Sequence, residues 1–167
     1  FAKSEIVPSN KDRFLRKETL QGFVHDEASA FFGGLAGNAG LFSTARDVAR
    51  VYQMLLNGGE IDGQRYLSKE TCQLFTTETS KISRRGLGFD KPDADDPKKG
   101  NCAPAAPAGV YGHTGFTGTC AWVDPVNELV YVFLSNRIYP DVTNRKLNQL
   151  HIRERIQGAI YDAMKKK

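Results

Sequence analysis

The chain has 167 residues, of which 40% are hydrophobic and 25% are charged, and its formal net charge is +4. These values are typical of one ordinary globular domain. No run of about 18 apolar residues is present, so no membrane span is predicted, and no signal-peptide pattern is visible. The basic residues are scattered except in residues 165–167 (K-K-K), which end a predicted helix where the helix dipole favours cations. Nucleic-acid binding is therefore not indicated.

The first part of the chain predicts little regular structure. Residues 1–20 are polar and irregular, and residues 8–10 (P-S-N) indicate a turn. A short apolar piece then ends in residues 25–27 (H-D-E). These side chains can serve metal or acid–base chemistry, but adjacent residues do not converge in a strand, and we favour a turn.

Glycine dominates residues 32–40 (F-G-G-L-A-G-N-A-G), which contain four glycines in nine residues. This density predicts positive φ angles or tight packing. A phosphate cradle is the functional alternative, but no following Lys or acidic partner supports it.

Residues 43–57 carry the clearest helix pattern. Thr44 and Asp47 fit a capping box, and residues 57–59 (N-G-G) supply the end of the helix. A buried stripe at helical spacing is predicted at Val48, Val51, Tyr52 and Leu55.

The next elements are short. Asp62 and Gly63 predict a tight turn between two extended pieces, and Ser68 predicts the N-cap of a second helix that runs to Phe75. Residues 86–89 (G-L-G-F) predict a short strand. Residues 90–109 are rich in Pro, Ala and charge, and they predict a flexible loop, which would be either a lid beside a cleft or simply disordered.

Residues 111–136 predict two strands and a reversal. The first strand would span residues 110–123, residues 124–127 (D-P-V-N) would break it, and residues 129–134 would form a second strand buried on both faces. Three glycines, at 112, 115 and 118, would kink the first strand or admit a ligand or another backbone. Between them lie His113 and Thr114, a titratable ring and a hydroxyl. Composition alone favours a plain hairpin with a glycine bend.

One long helix is predicted from Asp141 or Thr143 to Met164, packed across the hairpin. Its apolar face would consist of Leu147, Leu150, Ile156, Ile160 and Ala163. Its water-facing side would consist of Arg145, Arg153, Glu154 and Asp162.

The cysteines and histidines predict no metal site. Cys72, Cys102 and Cys120 are odd in number and lack C-x-x-C spacing, so we favour free buried thiols, with one disulfide as the alternative. No H-E-x-x-H or nucleotide-binding glycine motif is present. No metal or organic cofactor is implied.

These residues add up to a family resemblance. Residues 113–118 (H-T-G-F-T-G), with a following strand that ends in residues 134–137 (L-S-N-R), resemble the third motif of the serine β-lactamase and penicillin-binding-protein superfamily. The match is to the class C-like branch, which carries H-T-G in place of K-T-G and includes esterases and D-alanyl peptidases. Residues 33–45 and the helix after them resemble the segment that precedes this motif in such proteins.

The ends of the chain extend the resemblance over nearly its whole length. Residues 22–27 and the terminal helix around residues 155–161 are similar to a bacterial subgroup. In that subgroup, this domain is fused behind a glycoside hydrolase family 3 β-N-acetylglucosaminidase. The resemblance implies bacterial, peptidoglycan-related chemistry in the periplasm or cell envelope.

One part of the family pattern is missing. The nucleophile of this family lies in S-x-x-K, where the Ser attacks an acyl carbon and the Lys helps to remove its proton. No Ser of this chain is followed by Lys at that spacing. Residues 66–68 (Y-L-S) have the letters of the second motif, but they lie after the glycine-rich segment, and we interpret them as coincidence. Residues 1–167 would therefore be the C-terminal portion of one hydrolase domain.

The resemblance also implies roles for individual residues. His113, Thr114 and Gly115 would form one wall of the cleft, and the backbone N–H of Phe116 would donate to the oxyanion. Tyr111, Thr117 and Gly118 would contact the substrate. The isolated chain would be inactive, because the absent Ser supplies both the nucleophile and the second oxyanion donor.

Three hypotheses follow. The chain is part of a serine acyl hydrolase for a β-lactam, an ester or a D-alanyl peptide; or it is a non-catalytic domain that binds cell-wall fragments; or it is a structural domain in which H-T-G is chance. The predicted fold is α+β, a partial β-lactamase-like or transpeptidase-like fold with an antiparallel sheet and the C-terminal helix packed on it. Its exposed edge and apolar face would need a partner, either the missing half of the domain or a second copy.

Overall fold

The structure is a computed structural model that describes residues 2–77, 80–93, 95–96 and 99–166. Its α-helices are α1 (Glu27–Phe31), α2 (Ala45–Leu56), α3 (Lys69–Thr76), α4 (Lys146–Gln149) and α5 (Ile152–Met164). Its strands are β1 (Pro8–Lys11), β2 (Thr19–Gln21), β3 (Glu60–Ile61), β4 (Gln64–Arg65), β5 (Tyr111–Thr114), β6 (Cys120–Asp124) and β7 (Leu129–Phe133). The mixed α+β class is confirmed. None of the described helices combines the length and the hydrophobicity needed to cross a lipid bilayer.

The central sheet has three antiparallel strands in the order β5-β6-β7. The prediction of one long strand over residues 110–123 was wrong, because the chain reverses between Thr114 and Cys120. The Gly115 N–H donates to the Thr119 carbonyl at 2.8 Å, and Gly118 has φ +110°. The glycines at 115 and 118 therefore form a turn, and only Gly112 lies within a strand. The prediction that residues 129–134 form a strand buried on both faces was also wrong, because only Tyr131 of β7 is buried and Leu134, which follows β7, is 41% exposed.

One face of this sheet carries the core and α5. Trp122, Cys120 and Tyr131 lie on this face and pack against Cys102 and Val110. Two tyrosine hydroxyls attach the C-terminal helix: Tyr131 donates to the Arg153 carbonyl at 3.1 Å, and Tyr161 donates to an Asp124 carboxylate oxygen at 2.9 Å. The prediction that the C-terminal helix packs on the hairpin is confirmed.

The other face carries α2, which contacts β6 and β7. The ring of Tyr52 lies 6.1 Å from that of Phe89, which in turn lies 5.3 Å from the Tyr111 ring. The prediction of a buried stripe on this helix was wrong. No residue of α2 is buried, and Val51 is 55% exposed. The periodicity is present, but the described residues cover it only in part, with Val48, Tyr52 and Leu55 half-buried.

The predicted C-terminal helix is two helices. His151 has φ 48°, a left-handed conformation that separates α4 from α5. Asp141 caps neither of them; its carboxylate accepts from the Thr143 N–H within a turn. Arg153 does not face water. It is buried and donates to the Thr119 carbonyl, because the inward face of α5 runs through Arg153, Gln157 and Tyr161.

The N-terminal residues form a hairpin where a turn was predicted. β1 pairs with β2, and a bulge lies between Pro8 and Asn10. The Asn136 amide donates to the carbonyls of Pro8 and Ser9. A long-range contact at the end of β7 thus orders residues whose local sequence indicated a turn.

The caps predicted for the two middle helices are confirmed. The Thr44 hydroxyl accepts from the Asp47 N–H, and the Ser68 hydroxyl accepts from the Thr71 N–H. Asp62 and Gly63 have φ 52° and 74° and connect β3 to β4.

Residues 86–89 form no strand. Instead, Asp90 bridges Gly112 of β5 through N–O distances of 2.7 and 3.0 Å. Asp90 is buried and ion-paired with Arg84 at 2.7 Å. Farther along the predicted loop, the Ala103 N–H donates to the Gln157 side chain at 2.8 Å. The predicted loop is therefore anchored at Asp90 and at Ala103, and residues 94, 97 and 98 lie outside the described residues.

Candidate functional site

The H-T-G segment lies at the end of β5, the edge strand of the central sheet. His113 is half-buried and pairs with Ala121 of β6. Its Nδ1 lies 2.7 Å from the Thr114 carbonyl oxygen, and its Nε2 lies 3.3 Å from Nη1 of Arg85. Both ring nitrogens of His113 therefore have polar neighbours.

The turn after H-T-G leaves the backbone N–H groups of both Phe116 and Thr117 without an acceptor among the described residues. The N–H groups of Gly115 and Gly118 donate to the carbonyls of Thr119 and Gly115, respectively. Within the part of the chain that the structure describes, the Phe116 N–H has no hydrogen-bond acceptor. Phe116 as a whole residue is 60% exposed. A free backbone N–H in a turn can donate to an anionic oxygen.

Two distant segments contact the Phe116 ring. The His25 ring stacks on it at 5.4 Å with an interplanar angle of 4°. The guanidinium carbon of Arg137 lies 4.7 Å from the centroid of the Phe116 ring. The backbone N–H of Arg137 donates to the Thr117 carbonyl at 2.8 Å. The sequence did not predict that His25, Arg85 and Arg137 lie here, since no local pattern links them to H-T-G.

The ion pair between Arg16 and Asp12 in the N-terminal segment fixes the position of the His25 backbone. Arg16 donates to the carbonyls of Val24 and His25 at 2.9 and 2.6 Å, and it is held by Asp12 at 2.6 Å. The hydrogen bond from Arg16 holds the pKa of Asp12 well below its usual range. Burial lowers the pKa of His25 below its ordinary value, so the neutral imidazole is favoured.

The neighbouring acidic residue has a structural role. Asp26 accepts from the Ser29 N–H at 2.8 Å and from the Asn38 amide at 3.2 Å, and it is the N-cap of α1. The turn predicted at residues 25–27 is instead the start of a helix, since Asp26 caps α1 and Glu27 is its first residue. Among the described residues, no group of three His, Cys, Asp or Glu side chains could hold a metal ion.

Two of the residues predicted to bind substrate are buried. Tyr111 is 3% exposed and packs on Phe89 under α2, so its side chain is part of the core. Gly118 is buried, and a Cβ there would lie 2.6 Å from the Ser135 hydroxyl oxygen. Gly118 is therefore needed for the turn. Thr117 is half-buried and remains beside Phe116.

A cavity of about 270 Å³ lies next to this site. Arg137 and Lys146 line it together with apolar side chains that include Leu147. Burial, together with the nearby charges of Arg145 and Arg153, lowers the pKa of Arg137. A second cavity, of about 350 Å³, lies at the β3–β4 turn around Asp62 and is lined by Arg65 and Lys69. It contains none of the H-T-G residues.

The family model described as beta-lactamase matches residues 6–154. The chain belongs to the beta-lactamase family. Over 135 residues it is 37% identical to a "Putative D-alanyl-D-alanine carboxypeptidase" from Escherichia coli (strain K12), and over 141 residues it is 38% identical to proteins with the same description from Salmonella agona (strain SL483) and Salmonella typhi. Each match covers 80% of this chain and 31% of the relative.

The chain thus spans about a third of the length of the curated relatives it matches. The resemblance to serine β-lactamases and penicillin-binding proteins is confirmed at the level of the family. The residues that match the family model include residues 113–118, so the H-T-G segment lies within a beta-lactamase family domain.

Proposed function

We propose that this chain is the C-terminal portion of a serine acyl hydrolase domain, to which it contributes the H-T-G strand and one oxyanion-hole donor. The observation that carries the proposal is the free N–H of Phe116, which directly follows H-T-G in a member of the beta-lactamase family. His113, Thr114 and Gly115 form the adjacent cleft wall. His113 and Thr114 orient a carboxylate of the substrate or assist proton movement.

The proposed mechanism divides the chemistry between two parts of the domain. A serine outside these 167 residues attacks the acyl carbon, and a lysine takes up the serine proton. The carbonyl oxygen then becomes an oxyanion, to which Phe116 N–H donates. A preorganised donor of this kind is worth on the order of 100- to 1000-fold in rate. The isolated chain has the donor without the nucleophile, and we expect it to be inactive.

The exposed apolar surface of the chain supports the proposal that another part of the same domain covers it. The exposed large apolar side chains of the N-terminal half include Phe14 (86%), Phe31 (79%), Phe32 (78%), Leu35 (76%) and Leu41 (87%). So many exposed aromatic and aliphatic groups are unusual for a free surface. We propose that the segment carrying S-x-x-K covers them in the parent protein. A second copy of this chain is the alternative occupant.

D-alanyl peptides of cell-wall origin are the substrates we favour. The support is that relatives 37–38% identical to this chain carry the description "Putative D-alanyl-D-alanine carboxypeptidase". β-Lactams and esters remain alternatives. We further propose that the chain belongs to the class C-like H-T-G branch and to the subgroup fused to glycoside hydrolase family 3 enzymes. The setting would then be the periplasm or cell envelope.

A binding domain without catalysis is the second candidate. It predicts a full-length parent that lacks S-x-x-K. In this case the cleft beside His113 binds cell-wall fragments, and no covalent intermediate forms.

The test is intact-protein mass spectrometry after incubation with a fluorescent penicillin, on this chain and on its full-length parent. Mass gain by the parent alone supports the hydrolase proposal and locates the nucleophile outside these residues. Acylation of the isolated chain would contradict the proposed division of chemistry. If neither protein gains mass, and the parent neither releases D-alanine from a cell-wall peptide nor hydrolyses a model ester, the hydrolase proposal fails.

A further inference from the structure

The contacts of His113 define its protonation. A carbonyl oxygen can only accept a hydrogen bond, so the Nδ1 atom that lies 2.7 Å from the Thr114 carbonyl must carry a proton. A guanidinium group can only donate, so the Nε2 atom that lies 3.3 Å from Arg85 must present its lone pair. Together the two contacts fit one form of the ring, the neutral imidazole protonated on Nδ1.

The two neighbours of His113 are independent of each other. Thr114 is the next residue along β5, whereas Arg85 comes from a separate segment 28 positions earlier in the chain. Neither an imidazolium nor the Nε2–H tautomer could accept from Arg85, since both carry a proton on Nε2. The adjacent arginine does not share this role: Arg84 is ion-paired with the buried Asp90 at 2.7 Å.

We propose that Arg85 is a positioning residue for the H-T-G segment. It holds His113 as the neutral tautomer that is protonated on Nδ1, with Nε2 as the hydrogen-bond acceptor. The catalytic meaning of this role rests on the proposed function. Of the two roles proposed for His113, this form fits assistance to proton movement through Nε2, because its Nδ1–H already donates to the Thr114 carbonyl and cannot donate to a substrate carboxylate. Arg85, which stays protonated in proteins, supplies a permanent positive charge beside it. A lysine in K-T-G carries its own charge, whereas a neutral histidine does not.

The test is nitrogen-15 NMR of the histidine side chains in the 167-residue chain, with the His113 signals assigned by their loss in His113→Gln. We compare wild type with Arg85→Lys, which keeps a donor, and Arg85→Glu, which replaces the donor with an acceptor. Wild type and Arg85→Lys should show Nδ1 protonated and Nε2 unprotonated. Arg85→Glu should show Nε2 protonated, because a carboxylate can only accept.

Arg46→Glu is the matched control, since it makes the same charge change at an exposed position of α2. It should leave the His113 signals unchanged. An Nε2–H tautomer in wild type, or the same Nε2 state in wild type and Arg85→Glu, would overturn the proposal. Because Arg85 is exposed, these variants should fold, and the wild-type spectrum is decisive by itself. This readout needs no activity, so it can fail or succeed separately from penicillin labelling of the parent.

Discussion

The guanidinium carbon of Arg137 lies 4.7 Å from the centre of the Phe116 ring, and the backbone N–H of Arg137 donates to the Thr117 carbonyl. The segment that follows β7 therefore holds the turn after H-T-G through both the side chain and the backbone of Arg137. The same turn carries the free N–H that we propose as an oxyanion donor. Its position depends on contacts between segments that are distant in sequence.

The contact between Arg137 and Phe116 should be measurable as a coupling free energy. In a double-mutant cycle with Arg137→Gln and Phe116→Leu, we expect a coupling of about 0.5–1 kcal/mol, the usual range for an exposed cation–π pair. Urea unfolding of the four proteins gives the free energies. Lys146→Gln replaces Arg137→Gln in a control cycle and should give additive effects. Additivity in the Arg137 cycle would show that the two side chains do not interact.

Gly118→Ala should destabilise the fold more than Gly63→Ala. Both positions have positive φ, which costs an alanine about 1 kcal/mol or more. At Gly118 the new Cβ would also lie 2.6 Å from the Ser135 oxygen and 2.8 Å from a Leu147 methyl, whereas at Gly63 nothing lies within 4 Å. We expect an additional loss of about 1–3 kcal/mol for Gly118→Ala in urea unfolding. Equal losses would show that Gly118 is needed only for its backbone conformation.

Acid should remove a stabilising contribution from Asp12. Because the pKa of Asp12 is lowered in the folded state, its contribution is complete above the ordinary carboxyl pKa of about 3.9 and is lost as the pH falls from there toward the lowered value. The stability difference between wild type and Asp12→Asn should therefore be larger at about pH 6 than at about pH 3. Urea unfolding at both values measures it. Asp162→Asn, which removes an exposed carboxylate 4.0 Å from Lys165, is the control. A difference that does not change with pH would contradict this role of Asp12.

The three thiols should be unreactive in the folded chain. Burial raises the pKa of Cys102 to about 12 and that of Cys120 to about 11, and it also raises the pKa of Cys72. Since the thiolate is the reactive form, a disulfide reagent at about pH 8 should label none of them rapidly. In denaturant all three should react, because they are free cysteines. Rapid labelling of any thiol without denaturant would show that its site opens.

Local patterns predicted those elements that local contacts stabilise. The caps at Thr44 and Ser68 and the Asp62–Gly63 turn each depend on residues within a few positions, and each is present. The motif around His113 indicated the beta-lactamase family, and the family model confirms it. The free buried cysteines followed from their number and spacing.

Three predictions were wrong at positions whose surroundings depend on residues distant in sequence. The polar residues of β1 form a strand because β2 and Asn136 satisfy their backbone. Arg153 is buried because the Thr119 carbonyl accepts from it, which no helical pattern can show. The stripe on α2 has the expected periodicity but lacks a complete cover.

The sequence by itself determined the family, the α+β class and the H-T-G segment, because these depend on residue types and short-range spacing. The tertiary structure alone decided that Phe116 meets His25 and Arg137, and that Arg85 faces the His113 ring. These contacts join segments separated by many residues, and no local propensity encodes them. Packing of the sheet and the closing of long loops bring them together.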